Sequence, residues 1–324
     1  MTTLNLTDTR AELVARRRAL MHAVAAHPGS GLGALVAEVD EALARVDAGT
    51  YGRCDVCHEF VGSGRLAEDP LARSCEEHPS LAEVARLQRD LELARDVQRR
   101  LLPRQGGTLP GWEYRYRYDA AGPVGGDFCD VIRRPGRDET LVIVGDVAGK
   151  GIAASLLTTS LLATFRSLAP LGLPVGKLLA RSGALLHDDT HPASYATLAV
   201  ASLGPGRDVE LYSAGHWPPL VRRGSQLAPV AVEAGLPLGL FPDSTYAPTP
   251  LRLDPGDTLL FYTDGAIDAE NGAGEEYGAG RLACALLGSA GNLTSILDGL
   301  ADDVRRFRNG GPADDLMLFA LRRR

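Results

Sequence analysis

No apolar run in this chain of 324 residues approaches the length needed to cross a bilayer, and Met1 to Ala11 lacks the apolar core of a secretion signal. The expectation is a chain that neither spans a membrane nor is exported, working in the cytoplasm. Positive charge is also short: 34 Lys and Arg stand against 41 Asp and Glu, a net charge of −7. That balance gives no reason to expect nucleic acid or an anionic membrane surface as partner. Cysteine is scarce as well. The five are Cys54, Cys57, Cys75, Cys129 and Cys284. Three of them crowd into one short segment, which in a reducing compartment points to metal and away from disulfides.

What is present suggests about two domains by length, with 45% apolar residues, enough for a substantial core. The most informative stretch runs from Gly122 to Gly151. Leu141 to Val144 reads as a buried strand that stops at Gly145-Asp146, and Ile152 onward reads as a mostly buried helix. Upstream, Gly125-Gly126-Asp127 ends a second glycine-rich bend with a carboxylate. Carboxylates on such strand ends suit a hard divalent cation, which favours oxygen ligands. Gly149 to Ala154 also fits the dinucleotide pattern G-x-G-x-x-A, but no acidic residue closes a second strand about 20 residues on. A P-loop fails on spacing. The plain alternative is a tight turn with Asp146 as a helix cap.

Before this stretch, Thr7 to Ala26 is helical in pattern, with Leu13, Val14, Leu20, Met21 and Val24 as its apolar stripe and Arg16-Arg17-Arg18 on a solvated face. His27 to Gly31 breaks it, and Leu32 to about Val46 forms a second helix ended by Gly49. Cys54 and Cys57, then Cys75 and His78, follow as two chelating pairs, each separated by two residues. That spacing points to a tetrahedral zinc ion, and four protein ligands make it structural rather than catalytic. His58 is left as a surface residue.

Residues 34–79 resemble a DksA/TraR-type zinc finger. The likeness rests on Ala42-Leu43-Ala44-Arg45-Val46, Gly49-Thr50-Tyr51-Gly52, the first cysteine pair, Arg65-Leu66 and Pro70-Leu71-Ala72-Arg73. His78 departs from the family's usual fourth cysteine. Full-length members probe RNA polymerase with a long hairpin; here the hairpin is short and its turn, Ala26 to Gly33, carries no acidic tip. The resemblance therefore implies a module for a regulatory protein partner.

From Ser80 to Leu102 the chain reads as a charged helix. Val84, Leu87, Leu91, Ala94, Gln98 and Leu101 follow a heptad seam, consistent with a homodimer coiled coil or with a helix packed on its own domain. Pro103 ends it. Strand patterns follow at Trp112–Tyr118, Val131-Ile132, Leu141–Val144, Ala196–Leu203, Val209–Ser213 and Leu259–Tyr262. Helical patterns fall at about 152–168, 175–187, 280–287 and 293–307. Strands in runs between pairs of helices indicate a layered α+β fold, not a doubly wound sheet.

Two more acidic bends match the first. Leu259 to Tyr262 leads to Thr263-Asp264-Gly265, and Asp314-Asp315 precedes the apolar Leu316 to Ala320. Each Asp alone is more often a turn former. Asp127, Asp146, Asp264 and Asp314 together could converge on two cations about 3.5–4 Å apart, which would activate a bridging water and clamp a phosphate in line.

With these residues, Trp112 to Leu321 resembles the PPM-type metal-dependent serine/threonine phosphatases of the SpoIIE/RsbU-like branch. The likeness includes Gly122 to Phe128, Gly145 to Gly151, Ala196-Thr197-Leu198, Ser213 to Pro219, Pro237 to Leu240, Tyr262 to Gly265, and Asp314-Asp315. Leu93 to Pro103 matches the linker that leads into such domains. The resemblance implies a four-layer α/β/β/α sandwich, two antiparallel sheets between helical layers. It divides the chain into a helical hairpin with zinc finger at 1–79, a helical linker at 80–104 and a phosphatase domain at 110–324. It implies two Mn²⁺ or Mg²⁺ ions besides one structural Zn²⁺. Asp146 would bridge both, Asp127 would hold one, Asp264 and Asp314 the other, with the Val147 carbonyl as a further ligand and Asp315 as second choice. Asp146 and Asp127 would carry the catalysis, and His216 looks like a structural turn residue. Met317 stands for a frequent Thr, and Ser213 and Trp217 for usual asparagines; no carboxylate is lost. The implied substrate is a phosphorylated STAS-type anti-anti-sigma factor in a partner-switching pathway. The alternative is a phosphatase-like module that docks a sigma-factor or RNA polymerase regulator without turnover.

Overall fold

In the computed structural model, which describes residues 6–27, 31–79, 81–189, 194–204, 206, 208–308, 310 and 314–324, the chain divides into two units, Met1–Asp90 and Leu91–Arg324. In the first unit, α1 (Leu6–Ala26) and α2 (Leu32–Asp47) pack on each other and α3 (Ser63–Glu68) follows the first cysteine pair. Leu13, Val39, Ala42, Tyr51, Cys54, Val61, Leu66 and Ala72 form its small core. Val14 and Met21 do not join it: they are 37% and 49% exposed, because α1 turns only the face of Leu13 and Leu20 inward. Arg16 and Arg18 are exposed, as a solvated face requires. Most of the break expected at His27 to Gly31 lies outside the described residues. Helix α4 (Leu81–Leu101) begins in the first unit and ends in the second.

The second unit adds β1 (Gly106–Leu109), β2 (Trp112–Asp119), β3 (Phe128–Arg134), β4 (Glu139–Val147), α5 (Gly151–Leu168) and α6 (Val175–Asp189). Then come β5 (Ala196–Leu203), β6 (Asp208–Ala214), β7 (Leu220–Arg223), β8 (Gln226–Pro229), β9 (Ala234–Gly235), β10 (Thr249–Arg252) and β11 (Thr258–Tyr262). Helices α7 (Asp264–Ile267), α8 (Gly278–Gly288) and α9 (Leu293–Arg308) precede β12 (Leu316–Arg323). One sheet runs in the order β10-β6-β5-β4-β3, and the other in the order β1-β2-β12-β11-β7-β8. All of these neighbours are antiparallel; the two-residue β9 pairs with β6 in parallel.

The long apolar runs of the central strands have one cause: both faces are buried. Leu141 and Ile143 of β4 face a core shared with α5 and α6, while Val142 and Val144 face the core between the sheets. Phe319 and Leu321 of β12 enter that same inner core, and Leu318 and Ala320 face α8 and α9. The result is the expected four-layer sandwich of two antiparallel sheets between helices.

One helix departs from the sequence expectation. Gly151–Leu171 is, by length and composition, apolar enough to cross a membrane. Here it is a core helix: Ala154, Leu161, Leu162 and Phe165 are buried against the first sheet.

Candidate active site

Topology brings the acidic bends together. Asp127 stands just before β3, and Asp146 is the next-to-last residue of β4; Phe128 pairs with Gly145 across these antiparallel neighbours. In the other sheet, Asp264 follows the end of β11, Asp314 and Asp315 precede β12, and Tyr262 pairs with Leu318. An antiparallel pair places one strand's end beside the next strand's start. Each sheet thus delivers carboxylates to the same end of the sandwich.

Carboxylate oxygens of Asp127, Asp146 and Asp264 lie within 4.8 Å of one another. Asp146, Asp264 and Asp314 line a cleft of about 350 Å³, together with Lys150, His216 and Trp217. Lys150 Nζ is 2.9 Å from Asp314 Oδ2. A side chain at Gly126 would meet Asp146 Oδ1 and the Val147 carbonyl, each at 2.8 Å, so only glycine lets the Asp127 loop approach these two oxygens.

The electrostatics are those of negative charge held in excess. Burial, then the Asp146 carboxylate, pushes Asp127 well above the ordinary range. Burial, then Asp264 and Asp314, pushes Asp146 up to about 7. Burial and Asp314 raise Asp264. Hard oxygen donors crowded against their own repulsion fit Mn²⁺ or Mg²⁺, whose charge would offset it.

His216 plays another part. Burial pulls its imidazole down to about 4, so it is neutral at pH 7. Its Nδ1 is 3.0 Å from Thr197 Oγ1. It fills the turn after β6 and offers no proton to a leaving group at neutral pH.

Four further residues shape this site. Thr263 donates to Asp127 Oδ2 (2.7 Å) and accepts from the Met317 amide (3.0 Å), joining strand ends of the two sheets. Asp315, a second-choice metal ligand by resemblance, turns instead to the backbone: it accepts from the amides of Ala121 (2.7 Å) and Gly126 (2.8 Å). Thr158 of α5 donates to the Gly126 carbonyl at 2.9 Å. Gln98, expected on a helix-pairing seam, is buried and bonded to Gly125. Thr263 and Asp315 stand beside Asp264 and Asp314 in sequence, and the heptad pattern marks Gln98 without naming its partner; nothing local marks Thr158.

In the first unit, ligand atoms of Cys54, Cys57, Cys75 and His78 lie within 4.8 Å of one another. Cys57 Sγ and Cys75 Sγ are 3.8 Å apart, and Cys75 Sγ is 3.3 Å from His78 Nδ1. A tetrahedral zinc with Zn–S bonds near 2.3 Å sets its sulfurs roughly 3.8 Å apart, so the set fits that ion. Amides of Cys57, Cys75 and Val56 directed at Cys54 pull its thiol down to about 6, favouring the thiolate that metal needs. His58 is exposed, as expected.

Residues 136–324 match the family described as Stage II sporulation protein E (SpoIIE). The chain belongs to the SpoIIE family. The matched region holds Asp146, Asp264 and Asp314, while Asp127 and the loop before it lie upstream. Among relatives, the chain is 27% identical over 266 residues to Protein IcfG of Synechocystis, covering 72% of this chain and 41% of that protein. It is 28% identical over 187 residues to the phosphoserine phosphatase RsbP of Bacillus subtilis, covering 56% of this chain and 45% of RsbP. It thus spans less than half of either relative. In structure, the SiaA-PP2C domain of Pseudomonas aeruginosa superposes with a TM-score of 0.65 at 21% identity, covering 74% of this chain and 98% of that domain. This likeness shows that the SpoIIE-family unit has the PP2C-type fold.

Proposed function

We propose that the chain is a Mn²⁺- or Mg²⁺-dependent protein serine/threonine phosphatase. One observation carries the reading: both sheets deliver carboxylates to one place, where the buried Asp127 crowds within 4.8 Å of Asp146 and Asp264, and these two line the cleft with Asp314. In this reading Asp127, Asp146, Asp264 and Asp314, with the Val147 carbonyl, would hold the two ions, and Asp146 would be shared between them. Bound there, the ions supply a water activated at neutral pH and a clamp on the phosphoryl oxygens. The chain's own residues orient that chemistry. Thr263 fixes Asp127, Gly126 opens the approach, and Lys150 stands at the rim paired with Asp314.

The substrate is a phosphoserine or phosphothreonine protein, by resemblance a STAS-type anti-anti-sigma factor in a partner-switching pathway. The phosphoserine phosphatase activity in RsbP's name supports the serine part of this reading. The division into 1–79, 80–104 and 110–324 assigns a DksA/TraR-like finger with one structural Zn²⁺ to the first part, as a docking module for a regulatory protein. The linker would serve as a connector and as a surface for a homodimer. A reducing, cytoplasmic setting agrees with thiols committed to metal.

The test uses full-length protein, Mn²⁺, an aryl phosphate and a phosphoserine-bearing STAS protein. Turnover is expected to require Mn²⁺. Asp146→Asn is expected to lower it about 100-fold or more, the scale of losing a transition-state charge stabiliser, while the circular dichroism spectrum stays the same. Near-wild-type turnover by Asp146→Asn at saturating Mn²⁺ would overturn the assignment.

A further inference from the structure

We propose that Gln98 is a positioning residue of this site: its side-chain amide ties helix α4 to the loop carrying Gly126 and Asp127, and thereby sets the affinity for the divalent cation. The proposal rests on the metal-dependent reading above and goes beyond it by naming how a helix ahead of the sandwich reaches the carboxylates.

Gln98 is 5% exposed, on a helix whose neighbouring Val97 is 51% exposed. Its Nε2 donates to the Gly125 carbonyl at 2.7 Å, and its Oε1 accepts from the Gly125 amide at 3.1 Å. One side chain thus satisfies both backbone groups of one residue, as a neighbouring strand would. A methionine would fill the same volume without placing polar atoms out of water. The amide contributes orientation that an apolar side chain cannot, and leaving either Gly125 group unpaired would carry a desolvation cost.

The loop has little freedom once Gln98 holds it. A side chain at Gly125 would lie 1.7 Å from Asp315 Oδ2. The Gly126 amide is held by Asp315, and the Gly126 carbonyl by Thr158 and by the Val147 amide at 3.3 Å. The next residue is Asp127. Four parts of the fold therefore grip Gly125 and Gly126: α4, the residue just before β12, α5 and the end of β4. Of these, only α4 lies ahead of both sheets in sequence.

A second link keeps α4 in register with the same strand. Arg166 of α5 donates to the Leu101 carbonyl in the last turn of α4, and to Asp130 of β3 at 2.7 Å. Strand β3 begins at the residue after Asp127. A rotation of the last turns of α4 would pull on Gly125 through Gln98, and metal and phosphate chemistry tolerates little displacement of its ligands. Partners behind a metal's ligands commonly govern affinity about 10- to 100-fold.

The experiment uses the full chain freed of Mn²⁺ and Mg²⁺ with its zinc retained, so that the first unit and α4 stay folded. Mn²⁺ binding is measured by calorimetry, and aryl phosphate turnover against Mn²⁺ concentration, for wild type, Gln98→Met and Val97→Ala. Gln98→Met is expected to weaken Mn²⁺ binding and raise the half-saturating Mn²⁺ about tenfold, with turnover at saturating Mn²⁺ changed less than about threefold. Val97→Ala should match wild type in both. If Gln98→Met does not fold, Gln98→Asn carries the same test, since its amide is one methylene too short to meet both Gly125 groups. Mn²⁺ affinity within twofold of wild type in the folded variant overturns the proposal. Wild type that binds Mn²⁺ without turnover sinks the phosphatase reading alone; wild type that binds no Mn²⁺ sinks both.

Discussion

Asp146 is a carboxylate whose charge is opposed by burial and by its neighbours, which lift it from 3.8 to about 7. The sign of the consequence follows from proton counting. Between these two values the folded, metal-free protein holds a proton at Asp146 that the unfolded chain has released, so this residue's contribution favours folding at low pH and is lost as pH rises towards 7. Bound Mn²⁺ would reverse the preference, since it requires the ionised form. Urea midpoints taken with a chelator at about pH 5 and about pH 7 should therefore fall more steeply in wild type than in Asp146→Asn. Added Mn²⁺ should remove much of the wild-type fall. Equal slopes in wild type and variant would show that Asp146 does not carry this strain. Thr263 gives a complementary test. Thr263→Val keeps the shape but leaves a buried Asp127 oxygen and the Met317 amide without their partner, an expected loss of about 1–3 kcal/mol in chelator, read from denaturant unfolding. An unchanged midpoint would mean that another group takes over both bonds.

Among the elements, those buried on two faces were legible and those held by pairing alone were not. Leu141 to Val144 and Leu316 to Ala320 are apolar at every position because each face meets a core, and the sequence pattern follows. Strand β5 was located to the residue for the same reason. In contrast, β1 is Gly-Gly-Thr-Leu, β8 carries a proline and β10 has one too. These short strands exist because β2, β7 and β6 offer them hydrogen-bonding edges, which no local pattern records. The carboxylates were legible because glycine bends repeat around them, and antiparallel neighbours then do the gathering. The heptad pattern marks Gln98 but leaves open whether it faces a second helix or its own domain. A polar residue in a heptad pattern suggests a register device between helices, whereas its partner is the backbone of Gly125, 27 residues away in sequence. Arg134 shows the same limit. It is 1% exposed, yet its guanidinium is fully engaged by Glu139 at 2.7 Å and by the carbonyls of Ala169 and Leu173. Arg134→Met should cost about 3–5 kcal/mol by stranding those acceptors, seen as a lower thermal midpoint of the second unit. A midpoint equal to wild type would mean that water or Lys side chains replace it.

At the scale of the whole molecule the two units differ in what holds them together. The second has three extended cores between and outside its sheets, large enough to fold without help. Among the described residues, the first has a core of eight buried apolar residues, and one of them is Cys54, a zinc ligand in the proposed reading. A core that small rarely sustains a fold alone, and a structural zinc is worth roughly 10–16 kcal/mol in small fingers. All four ligands lie outside helices and strands, so the ion would also be what closes these loops. Within this unit Arg65 and Ser74 reach Glu83 at 2.6 and 2.7 Å, tying the first turn of α4 to the residues around the second ligand pair. Stripping zinc, or replacing Cys57 by Ser, should therefore melt residues 1–90 while leaving 91–324 folded. Calorimetry should show two transitions in the zinc-loaded protein, and only the one assigned to the second unit after chelation. Hydrogen exchange should report protection lost over α1 to α3 and over the first turn of α4, and kept in β4, β5 and β12. One zinc per chain is expected in the purified protein. A zinc-free preparation with the first transition intact would show that the eight-residue core suffices and that the thiols serve another purpose.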